Sequence, residues 1–413
     1  MSLHRRSFLY GAAAGLGALA VPRLSRAADA PRFLLIVFAE GAWDVTHCLD
    51  PKSAPACDVP EGAVTAYPNG VRVLTSAARP SVRGFFDANA GRCAVVNGLW
   101  IGSVAHAPAR IRVLTGTRSE RNPDIGAIYA ATAAEQRPQL ALPYVDLGGG
   151  AYAGPLANFM GRVGTTNQLV TLIDRSKAFR AGPRAPGSRF APDERERDAL
   201  NRFVARRAEA AGKAPGSAAL AGFQGSLDRA EALRRDPQLR GMEVGRATSL
   251  AQQGALAVEL FRGGVSCAAF LDTRLDWDTH DDIADQGRSH EQLFAELTQI
   301  SSKLDAAGLL ERTTVAVLSE FGRTPRLNDQ PQPGKDHWPV TSALLFGGGV
   351  RPGSYGATDD SLGALPVRMD DGTQADTGRL LQFDNFAAGL LNFMGVSAKR
   401  WIANVEPFHG PFA

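Results

Sequence analysis

The chain reads as an α/β domain with a mostly parallel central sheet and helices on both faces, and three features predict it. Short, continuous apolar runs rich in Val, Ile and Phe recur at residues 33–39, 93–97, 169–173, 265–271, 314–318 and 343–346. Continuous rather than alternating runs of this length mark strands buried on both faces. Stretches with helical spacing separate them. The clearest is 289–307, where Leu293, Phe294, Leu297, Ile300 and Leu304 share one face before Gly308, and another covers 385–394. Third, the residues able to do chemistry sit just beyond the apolar runs or, for Gly334 to Trp338, at the mouth of one, and α/β sheets collect ligands at the carboxyl ends of their strands.

In chain order, the first element is an address. His4-Arg5-Arg6-Ser7-Phe8-Leu9 precedes an apolar run over 10–21 and small residues over 25–30. Paired arginines, a run shorter than the roughly 20 residues of a membrane span and a small-x-small cleavage site predict a twin-arginine signal peptide over 1–27. The expected partner during export is the twin-arginine translocase, and the expected destination is the periplasm or beyond, without stable membrane insertion. Replacing Arg5 and Arg6 together by lysine is expected to leave precursor in the cytoplasm, because the paired guanidinium groups are what the receptor reads. Undiminished periplasmic protein would refute the assignment. Residues 1–27 hold four arginines and no acid, which turns the formal charge of +3 into −1 over 28–413. The basic character belongs to the leader, so nucleic-acid or anionic-membrane binding has no support.

The rest of the chain is long enough for one large α/β domain over 28–413. Cys48 and Cys57 flank a Pro-rich loop and could pair in an oxidising compartment, whereas Cys93 and Cys267 sit in apolar runs as buried thiols. The segment 175–246 is rich in Ala, Arg and Glu, is broken by Gly and Pro, and reads as a helical insertion or cap. Gly347-Gly348-Gly349 lacks the context and Lys-Ser/Thr ending of a phosphate loop and reads as a tight turn after a strand.

Five segments carry the chemistry. They are Glu40-Gly41-Ala42-Trp43-Asp44, the stretch from His106 through Arg110 to Gly116, Asp276-Trp277-Asp278-Thr279-His280, Ser319-Glu320-Phe321-Gly322-Arg323 and Gly334-Lys335-Asp336-His337-Trp338. The second has the spacing of the sulfatase signature C-x-P-S-R-x-x-x-L-T-G, with Pro108, Arg110, Leu114, Thr115 and Gly116 in register and His106 at the nucleophile's position. Taken together the segments resemble the alkaline phosphatase and sulfatase superfamily, and within it the exported branch catalogued as domain of unknown function 1501.

The resemblance implies an alkaline-phosphatase-like core. It places Asp44 as the first metal aspartate, Asp276 and His280 as a D-x-x-x-H pair, Glu320-Phe321-Gly322 in place of Asp-His-Gly, and His337 as the last metal histidine. Phe321 cannot coordinate, so a two-metal site is not implied. His106 would instead join His280 and His337, with Asp44 and Glu320, in one N/O site suited to zinc, manganese or iron. Asp44, His106, Arg110 and Glu320 are the expected catalytic residues. His106 as a phosphoryl acceptor, or as a merely structural residue, stays open at this point.

Arg110 and Arg323 suit either structural ion pairs or an anionic ester oxygen. Asp278 and Glu320 could equally cap helices or pair with Arg323. Trp43, Trp277 and Trp338 beside the candidate residues would suit a glycan face or an apolar ester group, unless they pack in the core. The function this points to is metal-dependent hydrolysis of a phosphate or sulfate ester without a Ser, Thr or Cys nucleophile. The other reading is a binding or assembly protein that kept the fold and lost turnover.

Overall fold

The computed structural model describes residues 32–162, 194–211, 225, 228–233, 235 and 248–412. The expected signal peptide over 1–27, the run at 169–173 and most of the segment 175–246 lie outside the described residues. Within that segment α4 (Glu194–Ala211) is helical.

Eight strands form the main sheet: β1 (Phe33–Ala39), β4 (Cys93–Trp100), β5 (Tyr144–Asp146), β6 (Met160–Arg162), β7 (Ala268–Asp272), β8 (Thr313–Ser319), β11 (Val340–Gly347) and β12 (Gly353–Tyr355). Two small pairs complete the numbering, β2 (Ala63–Ala66) with β3 (Arg72–Thr75) and β9 (Gly322–Arg323) with β10 (His337–Trp338). The sheet order is β12-β4-β11-β8-β1-β7-β5-β6. Pairing is parallel from β8 through β1, β7 and β5 to β6, and again between β12 and β4. Only β11 runs against both its neighbours in this sheet. The carboxyl ends of the other seven strands therefore share one edge with the amino end of β11.

All seven residues of β1 are buried, as its unbroken apolar sequence requires of a strand covered on both faces. The helices are α1 (Pro80–Asn89), α2 (His106–Thr115), α3 (Ile125–Gln136), α5 (Leu250–Arg262), α6 (Ala284–Ala306) and α7 (Phe383–Phe393). One group packs α1 and α5 onto α6, and the other packs α2 and α3 with α7. Phe85 of α1 meets Phe294 of α6 and Phe346 of β11, each at 5.3 Å between ring centres. Gly254 lets α5 and α6 close up, because a Cβ there would stand 2.4 Å from Ile300 Cγ1. Among the described residues no helix is long and apolar enough to cross a membrane.

Boundaries differ from the sequence reading where tertiary bonds act. Helix α6 starts at Ala284 rather than Ser289. Its first turn has no apolar periodicity, but Gln286 is buried and holds Asp44 N at 2.7 Å, Trp277 O at 2.8 Å and Thr279 Oγ1 at 3.0 Å. Strand β7 starts at Ala268, because Val265 and Ser266 still donate to Leu260 O at the end of α5. Gly347–Gly349 forms the expected turn, with Gly348 N bonded to Leu310 O and Thr313 O. The pairing considered for Cys48 and Cys57 is not formed. All four cysteines are buried free thiols, and Cys57 Sγ donates to Asp360 O at 3.1 Å. Burial pushes the Cys267 thiol up to about 12, the behaviour of an inert structural thiol.

His290 of α6 makes stability pH-dependent. It is buried, stacked on His47 at 5.5 Å, and held through Nδ1 on Gln286 O at 2.8 Å. Burial, with His47 beside it, lowers its pKa from 6.5 to about 3. The folded state keeps this ring neutral while the unfolded chain takes up a proton, so stability falls as pH drops below about 6.5. The slope is about 1.4 kcal/mol per pH unit from this group, continuing toward about pH 3. Urea midpoints of wild type and His290→Leu between roughly pH 4 and 7 are expected to show a flatter profile for the variant. Parallel profiles would exclude His290 as the source.

Candidate metal centre

Four loops meet at the shared sheet edge, and local chemistry aims each one. After β1 the chain turns at Gly41, whose φ is +119°, and an added Cβ would stand 2.8 Å from Asp278 N. The Gly41 amide donates to Glu320 Oε1 at 2.7 Å, which ties the β1 and β8 ends together. After β4 a loop leads into α2, whose first residue is His106. Between β7 and α6 lies the segment carrying Asp278 and His280. His337 comes from β10, which pairs with β9 through His337 and Arg323 just before the antiparallel β11. A residue that precedes its strand thus reaches the same edge as residues that follow theirs.

The three imidazoles point inward with their Nε2 atoms. His337 Nε2 lies 3.0 Å and His280 Nε2 3.1 Å from Asp278 Oδ1, and His106 Nε2 lies 3.3 Å from Asp278 Oδ2. Each Nδ1 faces an acceptor outside the cluster: Glu320 Oε1 at 2.9 Å for His106, Asp336 Oδ1 at 2.9 Å for His280, and Val104 O at 2.7 Å for His337. Such acceptors place the proton on Nδ1 and leave the Nε2 lone pair free for a ligand, the arrangement that metal-binding histidines use. His280 Nε2 and His337 Nε2 are only 2.9 Å apart, so two lone pairs face each other unless a cation or a proton lies between them. Among the described residues, His106 Nε2 is buried without a hydrogen-bond partner. The donor atoms of His106, Asp278 and His337 all lie within 4.8 Å of one another. His106, His337 and Asp278 offer a donor set that suits one divalent cation of the zinc, manganese or iron type, and His280 Nε2 adjoins it through Asp278 and His337.

Asp278 is kept ionised by its surroundings. Partial burial would raise its carboxyl, but Arg323, His337 and His106 outweigh that and hold it well below the usual carboxylate range. Arg323 is fully buried and donates to Asp278 Oδ1 at 2.7 Å, Trp277 O at 2.7 Å, Ala42 O at 2.8 Å and Lys335 O at 2.9 Å, and also to Gly41 O. It is a staple through three loops, not a free anion receptor. Phe321 packs under the His337 and His106 rings, 4.4 Å and 5.1 Å between centres, and forms an apolar floor.

The structure brings His106, His280 and His337 together, with Glu320 behind His106. Both Glu320 oxygens are engaged, Oε1 by Gly41 N and His106 and Oε2 by Ser319 Oγ at 3.2 Å, so Glu320 orients the ring. Asp44 and Asp276 are not brought to the cluster. Asp276 spends Oδ1 on Asp278 N at 3.1 Å and shapes the turn, while Asp278, read in the sequence only as a cap or a partner of Arg323, supplies the central carboxylate. Asp44 caps the turn Val45–His47 and pairs through Oδ2 with Lys335 Nζ at 2.7 Å and His47 Nδ1 at 3.2 Å. Burial acts to raise the Asp44 carboxyl, but Lys335 and His47 together hold it well below its ordinary value.

Arg110, one turn beyond His106 on α2, pairs with Glu40 at 2.5 Å and donates to Gly150 O at 3.2 Å. Desolvation raises the Glu40 carboxyl. Arg110 and His106 oppose this, and Asp272 and Glu320 add to it. Trp43 and Trp277 are core residues in edge contact at 6.4 Å, so they form no binding wall. Trp338 stays half-buried beside His337, its Nε1 on Leu362 O at 2.9 Å. The sequence reading gave no separate role to Gln286 or to Asp336. The only signal for Asp336 was its place next to His337.

The architecture and this site define an α/β protein with a candidate mononuclear metal centre at the carboxyl edge of its sheet. The chain belongs to the family described as "Protein of unknown function (DUF1501)", which matches residues 33–406. No curated protein matches it in sequence. Among solved structures it is similar to a protein in the alkaline phosphatase superfamily from Vibrio parahaemolyticus, with 10% identity, a TM-score of 0.42, and coverage of 93% of this chain and 71% of that one. It is also similar to a lipoteichoic acid synthase from Listeria monocytogenes, with 10% identity, a TM-score of 0.38, and coverage of 92% and 74%. A phosphonate monoester hydrolase from Silicibacter pomeroyi gives 11% identity, a TM-score of 0.38, and coverage of 92% and 78%. Likeness at this level assigns no site residue.

Proposed function

We propose that this protein is an exported, metal-dependent hydrolase of phosphate or sulfate esters that works without a Ser, Thr or Cys nucleophile. The observation that carries the reading is the convergence of three imidazole Nε2 atoms on Asp278, with every Nδ1 already held from behind. A bound divalent ion supplies Lewis-acid polarisation of an ester oxygen and eases the ionisation of water. His106, His280, His337 and Asp278 hold it. Glu320, Asp336 and the Val104 carbonyl fix the ring tautomers, and Arg323 keeps Asp278 anionic. Phe321 lies against the His106 and His337 rings and would supply no ligand atom for a second ion on that side.

Arg110 lies on the same face of α2 as His106 and presents a planar guanidinium at the rim, where it exchanges Glu40 for the oxygens of an anionic ester. Glu40 then loses the charge that most lowers its pKa and keeps the burial and the acidic neighbours that raise it. That suits a proton donor to the leaving group. A binding or assembly role is favoured by one observation: among the described residues no Ser, Thr or Cys side chain bonds to His106, Asp278, His280 or His337.

The test is elemental analysis of protein matured in its own periplasm, with a screen of aryl phosphate and aryl sulfate esters. One equivalent of zinc, manganese or iron with turnover of one ester class is expected. Freshly matured protein without metal would end this reading, and stoichiometric metal without turnover would support the binding role instead.

A further inference from the structure

We propose a second ligand site, independent of the metal centre: the cleft between α6 and the loop before α1 binds a small monocarboxylate with an apolar body, its carboxylate on Arg79. The cleft encloses about 570 Å³, inside the roughly 300–1,000 Å³ range of small-molecule sites. Val59, Pro60, Ala78, Ile283, Ala295 and Leu327 give it largely apolar walls. None of His106, Asp278, His280 or His337 lines it.

The charged groups of the cleft are accounted for, with one exception. Glu291 gives its two oxygens to Ser81 N at 2.9 Å and Ser81 Oγ at 2.6 Å. Asp58 pairs with Arg326 at 3.0 Å and accepts from Leu327 N at 2.8 Å. Arg288 pairs with Asp285 and, at 3.3 Å, with Asp282, and His47 sits on Asp44 at 3.2 Å. Arg79 is different. It is 5% exposed, and among the described residues its Nε has no partner and its one side-chain hydrogen bond is a long one, 3.4 Å from Nη2 to Glu61 O.

An arginine stays protonated when buried. Glu291 and Asp44 act on Arg79 only at longer range and among the described residues no carboxylate pairs with it directly, so a bound carboxylate would supply the missing pair of parallel N–H bonds. A monoanion fits best, because Asp58 and Glu291 line the same cleft and repel a second negative charge. The apolar walls call for a hydrocarbon or aryl body behind the head group.

The probe is n-octanoate, titrated calorimetrically into the full matured protein, with n-octanol as its neutral counterpart. Wild type is expected to show one saturable site, with octanol and the Arg79→Met variant weaker by about tenfold or more. Since loss of a buried arginine can disturb the fold, Gly287→Leu is the second variant. Gly287 is a half-buried position of α6 that lines the cleft, and an added Cβ would stand 3.9 Å from Arg79 Nη1 in ordinary contact, so a leucine there projects into the cleft beside the guanidinium. Leucine is also the better helix former, so this variant is expected to keep or raise Tm, keep its metal and lose octanoate binding. Absence of saturable binding at millimolar octanoate, equal affinity for octanol, or unchanged binding in Gly287→Leu would each overturn the proposal.

Discussion

Protein carrying His280→Ala and His337→Ala together is expected to lose its bound metal, and any ester hydrolysis with it, while its circular-dichroism spectrum persists. Two of the three converging Nε2 atoms disappear, and a lone imidazole with one carboxylate holds a divalent ion far more weakly. The fold should tolerate the change because both side chains are partly exposed, 37% for His280 and 18% for His337, so no large buried cavity is opened. Asp278 keeps its bond to Arg323 and is not left as an unpaired charge. A graded outcome separates holding from positioning. Asp336→Asn, which alters the acceptor behind His280 and its long bond from Asn328, should weaken metal binding by about 10–100-fold, as outer partners of metal histidines do. Equal metal content in wild type and the double variant would remove the centre from these residues, whatever the activity.

Lys335→Met is expected to cost about 3–5 kcal/mol, because it strands the Asp44 carboxylate in the interior. Both partners are buried, 1% and 0% exposed, and stand 2.7 Å apart. Methionine fills nearly the same volume, so the loss reports charge rather than packing. At roughly 2–4 °C per kcal/mol for a large domain, Tm should fall by about 10 °C. The pH dependence identifies the cause. In wild type the Asp44 carboxyl lies well below its ordinary 3.8, so its contribution is present above that value and lost as pH falls through the folded value. Without Lys335, burial is opposed by His47 and no longer by the ammonium, so the folded pKa rises toward the ordinary value. The variant's deficit should then shrink as pH is lowered and Asp44 takes up a proton. Lys335→Met with Asp44→Asn should recover much of the loss. A deficit below about 1 kcal/mol, constant with pH, would show that the pair is screened by solvent.

Much of the fold was legible in the residues because its signals are local. Burial on both faces leaves a strand with no polar residue to interrupt it, and the run 33–39 coincides with β1 for that reason. The apolar face of α6 is legible from Leu293 to Leu304, whereas its first turn is held by the bonds of Gln286 to residues in distant loops. Shorter strands such as β5, three residues long, carry too little pattern to read.

The sequence by itself determined the fold class, five of the eight strands of the main sheet, and the placing of His106, His280 and His337 near strand ends. Tertiary structure alone decided which carboxylate meets them. Asp44, Asp276 and Asp278 are alike as residues, and each has a local backbone bond or turn within reach. Asp276 takes its local bond, Asp44 is claimed by Lys335 across 291 positions of chain, and Asp278 is left to Arg323 and the imidazoles. It was likewise the reversal of β11 that brought His337 to the shared edge from in front of its strand. Periodicity and spacing record what a residue does with its neighbours in the chain, whereas pairing of buried charges depends on sheet order, which is a property of the whole core.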